Sequence, residues 1–173
     1  MIEIISGGQT GVDLAALDTA SVFGIHCGGW CPKGRINEEG TIHKKYELKE
    51  IHGDYNTDKE NYDARTKANI KDSDGTLIFV PSYPLPPAIQ DGTLLTISEA
   101  KKQKKPFLII DLSRPASEGI VSISDWIETH AIVTLNIAGP RESTCPGIYK
   151  QTTSFLLEMF QNLKCSCQPR ARL

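Results

Sequence analysis

No apolar run in the chain approaches the roughly 18 residues of a membrane-spanning helix. Nor does it open on the basic stretch and apolar core of a secretory signal, because Met1 leads directly into the strand-like Ile2-Glu3-Ile4-Ile5. The expected setting is the cytoplasm, with no membrane partner. A dominant charge is also missing. The formal net charge is −2 and the isoelectric point is near 6.1, which leaves no overall electrostatic reason to expect nucleic acid. The five cysteines, Cys27, Cys31, Cys145, Cys165 and Cys167, are odd in number and irregular in spacing. They suit reduced thiols better than a disulfide framework. A metal held by Cys27, Cys31, His26 and the Cys165/Cys167 pair would need the tail to fold back, and no metal is expected.

Several chemistries lack their motifs as well. The P-loop spacing is absent, because Val12 and Asp13 follow Gly11, and Gln9 stands where a dinucleotide fingerprint needs its second glycine. The segment Ile25-His26-Cys27-Gly28-Gly29 offers no acidic residue to hold an adenine ribose, which argues against NAD. His26, His43, His52 and His130 show no nucleophile–base pattern, and no G-x-S-x-G sequence occurs. No catalytic residue is therefore expected.

What is present is a strand, a glycine turn and a helix at the start. Between Ile2–Ile5 and the apolar-rich Val12–Phe23, the turn Gly7-Gly8-Gln9-Thr10-Gly11 has three glycines in five residues. Glycine admits positive φ and close backbone approach, and N–H groups at a helix start favour an oxyanion. The turn is thus expected to cradle a small-molecule anionic ligand, with a tight ligand-free βα turn as the plainer alternative.

Further strands are expected at Ile25–Gly29, Gly75–Val80, Pro106–Asp111 and Ala131–Ala138. Helices are expected at Tyr62–Asp72, capped by Asn61, at Asp91–Gln103, at Ser122–His130 and at Cys145–Leu163. The stretch Ile36–Asn61 reads as an excursion with little regular structure, and the four prolines of Pro81–Pro87 exclude a central element there. The β-α alternation predicts an α/β domain over residues 1–163. It should be a doubly wound, mostly parallel sheet with helices on both faces, followed by a tail at 164–173. Ligands of such sheets sit beyond the carboxyl ends of the strands, where every unusual loop of this chain falls.

Candidate binding residues follow from that convergence: Gly7, Gly8, Gln9, Thr10 and Gly11 in the first turn; Lys33 and Arg35 in the second loop; Arg65 on its helix; Gly92, Thr93 and Thr96 at the second glycine-led helix; and Arg141 after the last strand. Asp13 complements the first helix dipole and is expected to order the turn. Side chains that merely cap helices or meet solvent are the plainer account of each.

The runs Gly7–Asp13 with Ala15–Asp18, Gly28–Arg35, Tyr46–Glu50, Arg65-Thr66, Asn69 and Asp72–Thr76 occur in an order that resembles the molybdenum-cofactor carrier family. This is a Rossmann-like branch related to the lysine-decarboxylase-like phosphoribohydrolases. The resemblance covers Ile2–Asp111, with support at Gly139–Ser143. It implies a homo-oligomeric carrier whose cargo is a molybdopterin-type molybdenum cofactor, or another phosphorylated pterin or nucleotide-like ligand. The alternative it implies is a nucleotide-processing hydrolase. Three departures stand out: Leu14 where arginine is expected, Asp91-Gly92 for a glycine pair, and Thr96 at the hydrolase's catalytic glutamate position. Arg65 matches the hydrolase pattern, but without that carboxylate N-glycosidic cleavage is not expected.

Overall fold

The computed structural model describes residues 2–89 and 92–166. In chain order the elements are β1 (Glu3–Ile5), α1 (Val12–Val22), β2 (Cys27–Gly28), β3 (Trp30–Cys31), β4 (Ile36–Asn37), β5 (Gly40–Thr41), β6 (Lys49–Glu50), α2 (Asp58–Asp72), β7 (Gly75–Val80), α3 (Gly92–Lys102), β8 (Phe107–Asp111), α4 (Ala116–Thr129), β9 (Thr134–Ala138) and α5 (Ile148–Ser166).

Five strands form one all-parallel sheet in the order β2-β1-β9-β7-β8. The doubly wound α/β fold expected from the sequence is the fold observed. Side chains alternate across it. Leu77, Phe79, Leu135 and Ile137 enter the main core with Val12, Ala16, Ala20, Leu156 and Phe160 of α1 and α5. Thr76, Asn136 and Ala138 belong to the opposite pleat, the side toward α2 and α3. Counted by chain order within the sheet, the strands run 2-1-5-3-4. Starting the count at β7 converts this to 2-1-3-4-5, the flavodoxin-like order, whose crevice opens where the winding direction reverses. That crevice lies between β7 and β9, with β1 flanking it.

Several boundaries differ from the expectation for local reasons. Helix α2 begins at Asp58, because the Thr57 hydroxyl accepts the Glu60 N–H at 3.1 Å and caps it. Asn61, expected as the cap, lies inside the helix. It holds the backbone of Lys33 from both sides, accepting its N–H at 2.8 Å and donating to its carbonyl at 3.0 Å. Asn69 does the same to Trp30, at 2.8 and 2.9 Å, so two asparagines of one helix fasten the Trp30–Arg35 loop. Helix α4 starts at Ala116 rather than Ser122, with Gly119 inside it because the Phe155 ring lies 2.9 Å from where a Cβ would stand. Helix α5 starts at Ile148 rather than Cys145. The Glu142 carboxylate accepts the N–H groups of Gly147 and Tyr149 and so caps it. Within Ile36–Asn61 lie the β4–β5 hairpin and β6, which pairs with β3. The α5 helix continues through residues 164–166; residues 167–173 of the expected tail, and Asp91 at the second glycine turn, lie outside the described residues. No helix among the described residues is long and apolar enough to cross a membrane.

Candidate functional site: a polar cleft at the sheet's reversal point

The floor of the crevice is a buried ion pair. Arg65 of α2 donates from Nη1 to Asp13 Oδ2 of α1 at 2.8 Å, and their side chains are only 13% and 3% exposed. Burial pushes the Asp13 carboxyl up from its usual range. The Arg65 charge and the Gln9 amide, which donates to the same oxygen at 3.2 Å, pull it back. Gly7 makes this arrangement possible, since a Cβ there would stand 1.6 Å from Arg65 Nη1.

The first turn is built differently from the open cradle that its glycines suggest. Residues 4–13 are all buried, and several amides already have acceptors within the protein. Gln9 N–H donates to Asp13, Thr10 N–H to Gln9 Oε1 at 3.0 Å, and Val12 N–H to the Pro140 carbonyl at 3.3 Å. Gly8, at φ +73°, accommodates Leu48 and Ile42, whose methyl groups lie 2.6 and 3.0 Å from a would-be Cβ. Gly11 lies against the backbone of Pro140 to Glu142. A side chain at Gly8 or Gly11 would therefore disturb packing first. The turn contributes side chains to the crevice more than amides.

A latch holds these loops together. The Thr10 hydroxyl donates to Glu38 Oε1 at the tip of the β4–β5 hairpin and accepts the Glu142 N–H at 3.1 Å. Ser143 donates to the same carboxylate from its hydroxyl and, at 3.1 Å, from its N–H, and Arg141 Nη1 lies 3.9 Å from Glu38 Oε2. Burial is the strongest single influence on Glu38 and raises its pKa. The donors from Ser143 and Thr10 and the Arg141 charge together outweigh it and hold the carboxyl below its usual value. A folded-state value below the unfolded one means that the latch stabilises fully above about pH 4.3. Its contribution is lost as pH falls through the lowered value. In an acid titration followed by circular dichroism, the wild-type protein should lose stability below about pH 4 more steeply than E38Q. Parallel profiles would show that Glu38 does not couple to folding.

Above the floor lies a small inner pocket of about 30 Å³ that Gln9, Asp13, Arg65, Thr96, Asn136 and Arg141 help to line. It shares Arg65, Thr66, Gly92 and Arg141 with an outer cavity of about 470 Å³ walled by Tyr62, Leu94 and Leu95. The Arg141 guanidinium lies 5.6 Å above the Tyr62 ring. Two buried donors of this cleft, Gln9 Nε2 and Arg65 Nε, have no hydrogen-bond partner. A buried donor left unsatisfied costs about 1–3 kcal/mol, so a folded protein keeps such groups where something else will satisfy them.

Of the residues proposed from sequence, Gln9, Arg65, Gly92, Thr96 and Arg141 line the cleft, and Gly7 shapes its floor. Thr93 is buried on α3. Thr10 is engaged in the latch, and Gly8 and Gly11 in packing. Lys33 and Arg35 do not line the cleft. Lys33 Nζ donates to the Gly53 carbonyl at 2.9 Å and pairs with Asp54, while Arg35 donates to the carbonyls of Leu48, Tyr46 and His43. Both are scaffold contacts of the loop between β3 and β4. Asn136 was missed, although an asparagine inside the apolar run Thr134–Ala138 is itself a signal, because a buried polar group needs a reason. It donates to the Thr76 hydroxyl at 3.2 Å. Cys27, Cys31 and Cys145 are free thiols whose pKa values burial pushes up.

A family model described as circularly permutated YpsA SLOG matches residues 4–160, and the chain belongs to that family. The permutation in the description agrees with the sheet, whose order becomes the flavodoxin-like one when counting starts at β7. Among solved structures, the chain is similar to a protein from Syntrophus aciditrophicus described as a "putative molybdenum carrier protein". The two are 43% identical, the match covers 92% of this chain and 94% of the other, and the TM-score is 0.80. The family resemblance read from the sequence is thereby supported. No curated protein matches the chain.

Proposed function

We propose that this protein binds and carries a molybdenum-containing small molecule, of the molybdopterin-cofactor type, in the cleft beyond the carboxyl ends of β1, β9 and β7. The observation that carries this reading is the pair of unpartnered buried donors, Gln9 Nε2 and Arg65 Nε, at the base of a cavity that the fold opens at its reversal point. Similarity to a protein described as a "putative molybdenum carrier protein" supports molybdenum as the element of the cargo. At about 470 Å³ the outer cavity falls within the 300–1,000 Å³ typical of small-molecule sites. Tyr62 and Leu95 offer a flat apolar wall for a fused ring, and the start of α3 at Gly92 adds the positive end of a helix dipole.

The cleft does not attract anions by net charge. Arg65 is answered by Asp13, Arg141 faces Glu38, and Lys59 pairs with Asp63. Hydrogen-bond donors and the helix start must therefore do the selecting. Carriage fits better than hydrolysis: the Thr96 hydroxyl donates to the Gly92 carbonyl, and the Asp13 carboxylate is tied to Arg65. The proposal extends to a homo-oligomer, as the resemblance implies, in the cytoplasmic setting expected from the sequence.

Isothermal calorimetry with isolated molybdenum cofactor, molybdate and nucleoside monophosphates tests the assignment. Saturable binding of the molybdenum cofactor, or of molybdate, is the expected result. Silence toward both would overturn it, and selective binding of nucleotides would reassign the cleft.

A further inference from the structure

The amide of Gln9 has only one satisfactory orientation. Its Oε1 accepts two backbone N–H groups, from Thr10 at 3.0 Å and from Glu38 at 3.1 Å. A side-chain NH₂ could not accept either, so these contacts settle which end is oxygen. The opposite end, Nε2, is left without a partner on a residue that is 5% exposed and lines the inner pocket. Arg65 lines the same pocket. Its Nη1 is engaged with Asp13 and its Nε has no partner. Among the described residues lining that pocket, the buried side-chain atoms without a partner are thus both donors. The Asp13–Arg65 pair is neutral as a unit and Arg141 is faced by Glu38, so the pocket discriminates by hydrogen-bond polarity more than by net charge.

We propose that the inner pocket is a subsite for an oxygen that offers only lone pairs, such as a metal-oxo or oxyanion oxygen, and that Gln9 determines this specificity. The proposal rests on the carrier reading and deepens it by naming which end of the ligand enters first. An oxo or phosphate oxygen meets two fixed donors there. An amino edge, like that of a pterin ring, would set donor against donor, so the ring stays in the outer cavity beside Tyr62. Glu38 is a positioning residue in this arrangement. Its carboxylate holds the hairpin to Thr10 and Ser143, and the hairpin then delivers the Glu38 N–H that turns the Gln9 amide.

The test is Q9E, which keeps the accepting oxygen and replaces the donor Nε2 by a second acceptor. Wild type and Q9E are titrated by calorimetry with molybdate and with isolated molybdenum cofactor. The molybdate affinity of Q9E should fall at least about tenfold, as expected when a buried donor contact to a ligand oxygen is replaced by an acceptor. The circular dichroism spectrum should be unchanged. Crystals of the wild type soaked in tungstate provide a second readout that needs no variant, with an anomalous peak expected within hydrogen-bonding reach of Gln9 Nε2. Equal affinities in wild type and Q9E, or tungsten bound away from this pocket, would overturn the subsite while leaving the carrier function standing. Failure of wild type to bind either ligand would remove both.

Discussion

Gly29→Ala should leave the protein barely folded. Gly29 follows β2 at φ +122°, a region that L-residues rarely enter. A Cβ there would stand 2.3 Å from the Ser6 carbonyl oxygen and 2.8 Å from its nitrogen, both backbone atoms that cannot step aside. It would also sit 2.9 Å from Asn69 Oδ1, the atom that accepts the Trp30 N–H. Strain and displaced hydrogen bonds together should cost about 3–5 kcal/mol. That is a large share of the roughly 5–15 kcal/mol that holds a domain of this kind. Urea unfolding would show it as a strongly lowered midpoint. A midpoint shift worth less than about 0.5 kcal/mol would mean that the Ser6–Gly29 approach is looser than described.

Arg65→Met should be almost as damaging, for an electrostatic reason. The variant keeps most of the side-chain volume but leaves Asp13, 3% exposed, without its cation. Removing one partner of a buried pair costs about 3–5 kcal/mol. Asp13→Asn in the same chain should return most of it, because an amide oxygen still accepts the Gln9 N–H and no charge is stranded. The pH dependence carries a definite sign. Asp13 already has a raised folded value in the wild type, so both proteins should lose stability as pH rises above about 3.9, and Arg65→Met, lacking the pull of the guanidinium, should go on losing it to higher pH. Thermal melts of the single and double variants between acid and neutral pH check this. A double variant as unstable as the single would show that packing, and not the stranded charge, is responsible.

The sequence reveals the strands and helices because their signals are local. The apolar runs at Glu3–Ile5 and Gly75–Val80, the glycine after Phe23 and the prolines before α3 each act within a few residues. The place of β9 between β1 and β7 is not legible in this way, because register in an all-parallel sheet leaves no mark on the residues that share it. The cleft was half legible. Gln9, Thr96 and Arg141 stand near turns that leave strand ends, and Arg65 shares a helix face with Asn69; all four line the cleft. Yet a glycine needed for a ligand's approach and one needed for a neighbouring side chain look identical in a sequence. Gly8 receives Leu48 and Ile42, and Gly7 receives Arg65. Lys33 and Arg35 fall outside the cleft for a related reason: a cation near a glycine-rich block can serve carbonyls of its surroundings, as Arg35 does with Leu48 and Tyr46. Helix α2 begins ahead of the expected Tyr62 because its cap, Thr57, stands in a polar stretch with no apolar period to announce it.

The strand order has a consequence for how the molecule is made. Since β9 is the seam between two halves, β2-β1 and β7-β8, those halves share no ladder until residues 134–138 have left the ribosome. The loop carrying Arg141 emerges later still. The two sheet halves can therefore join only once β9 is available, and the cleft that Arg141 helps to line is completed after that junction.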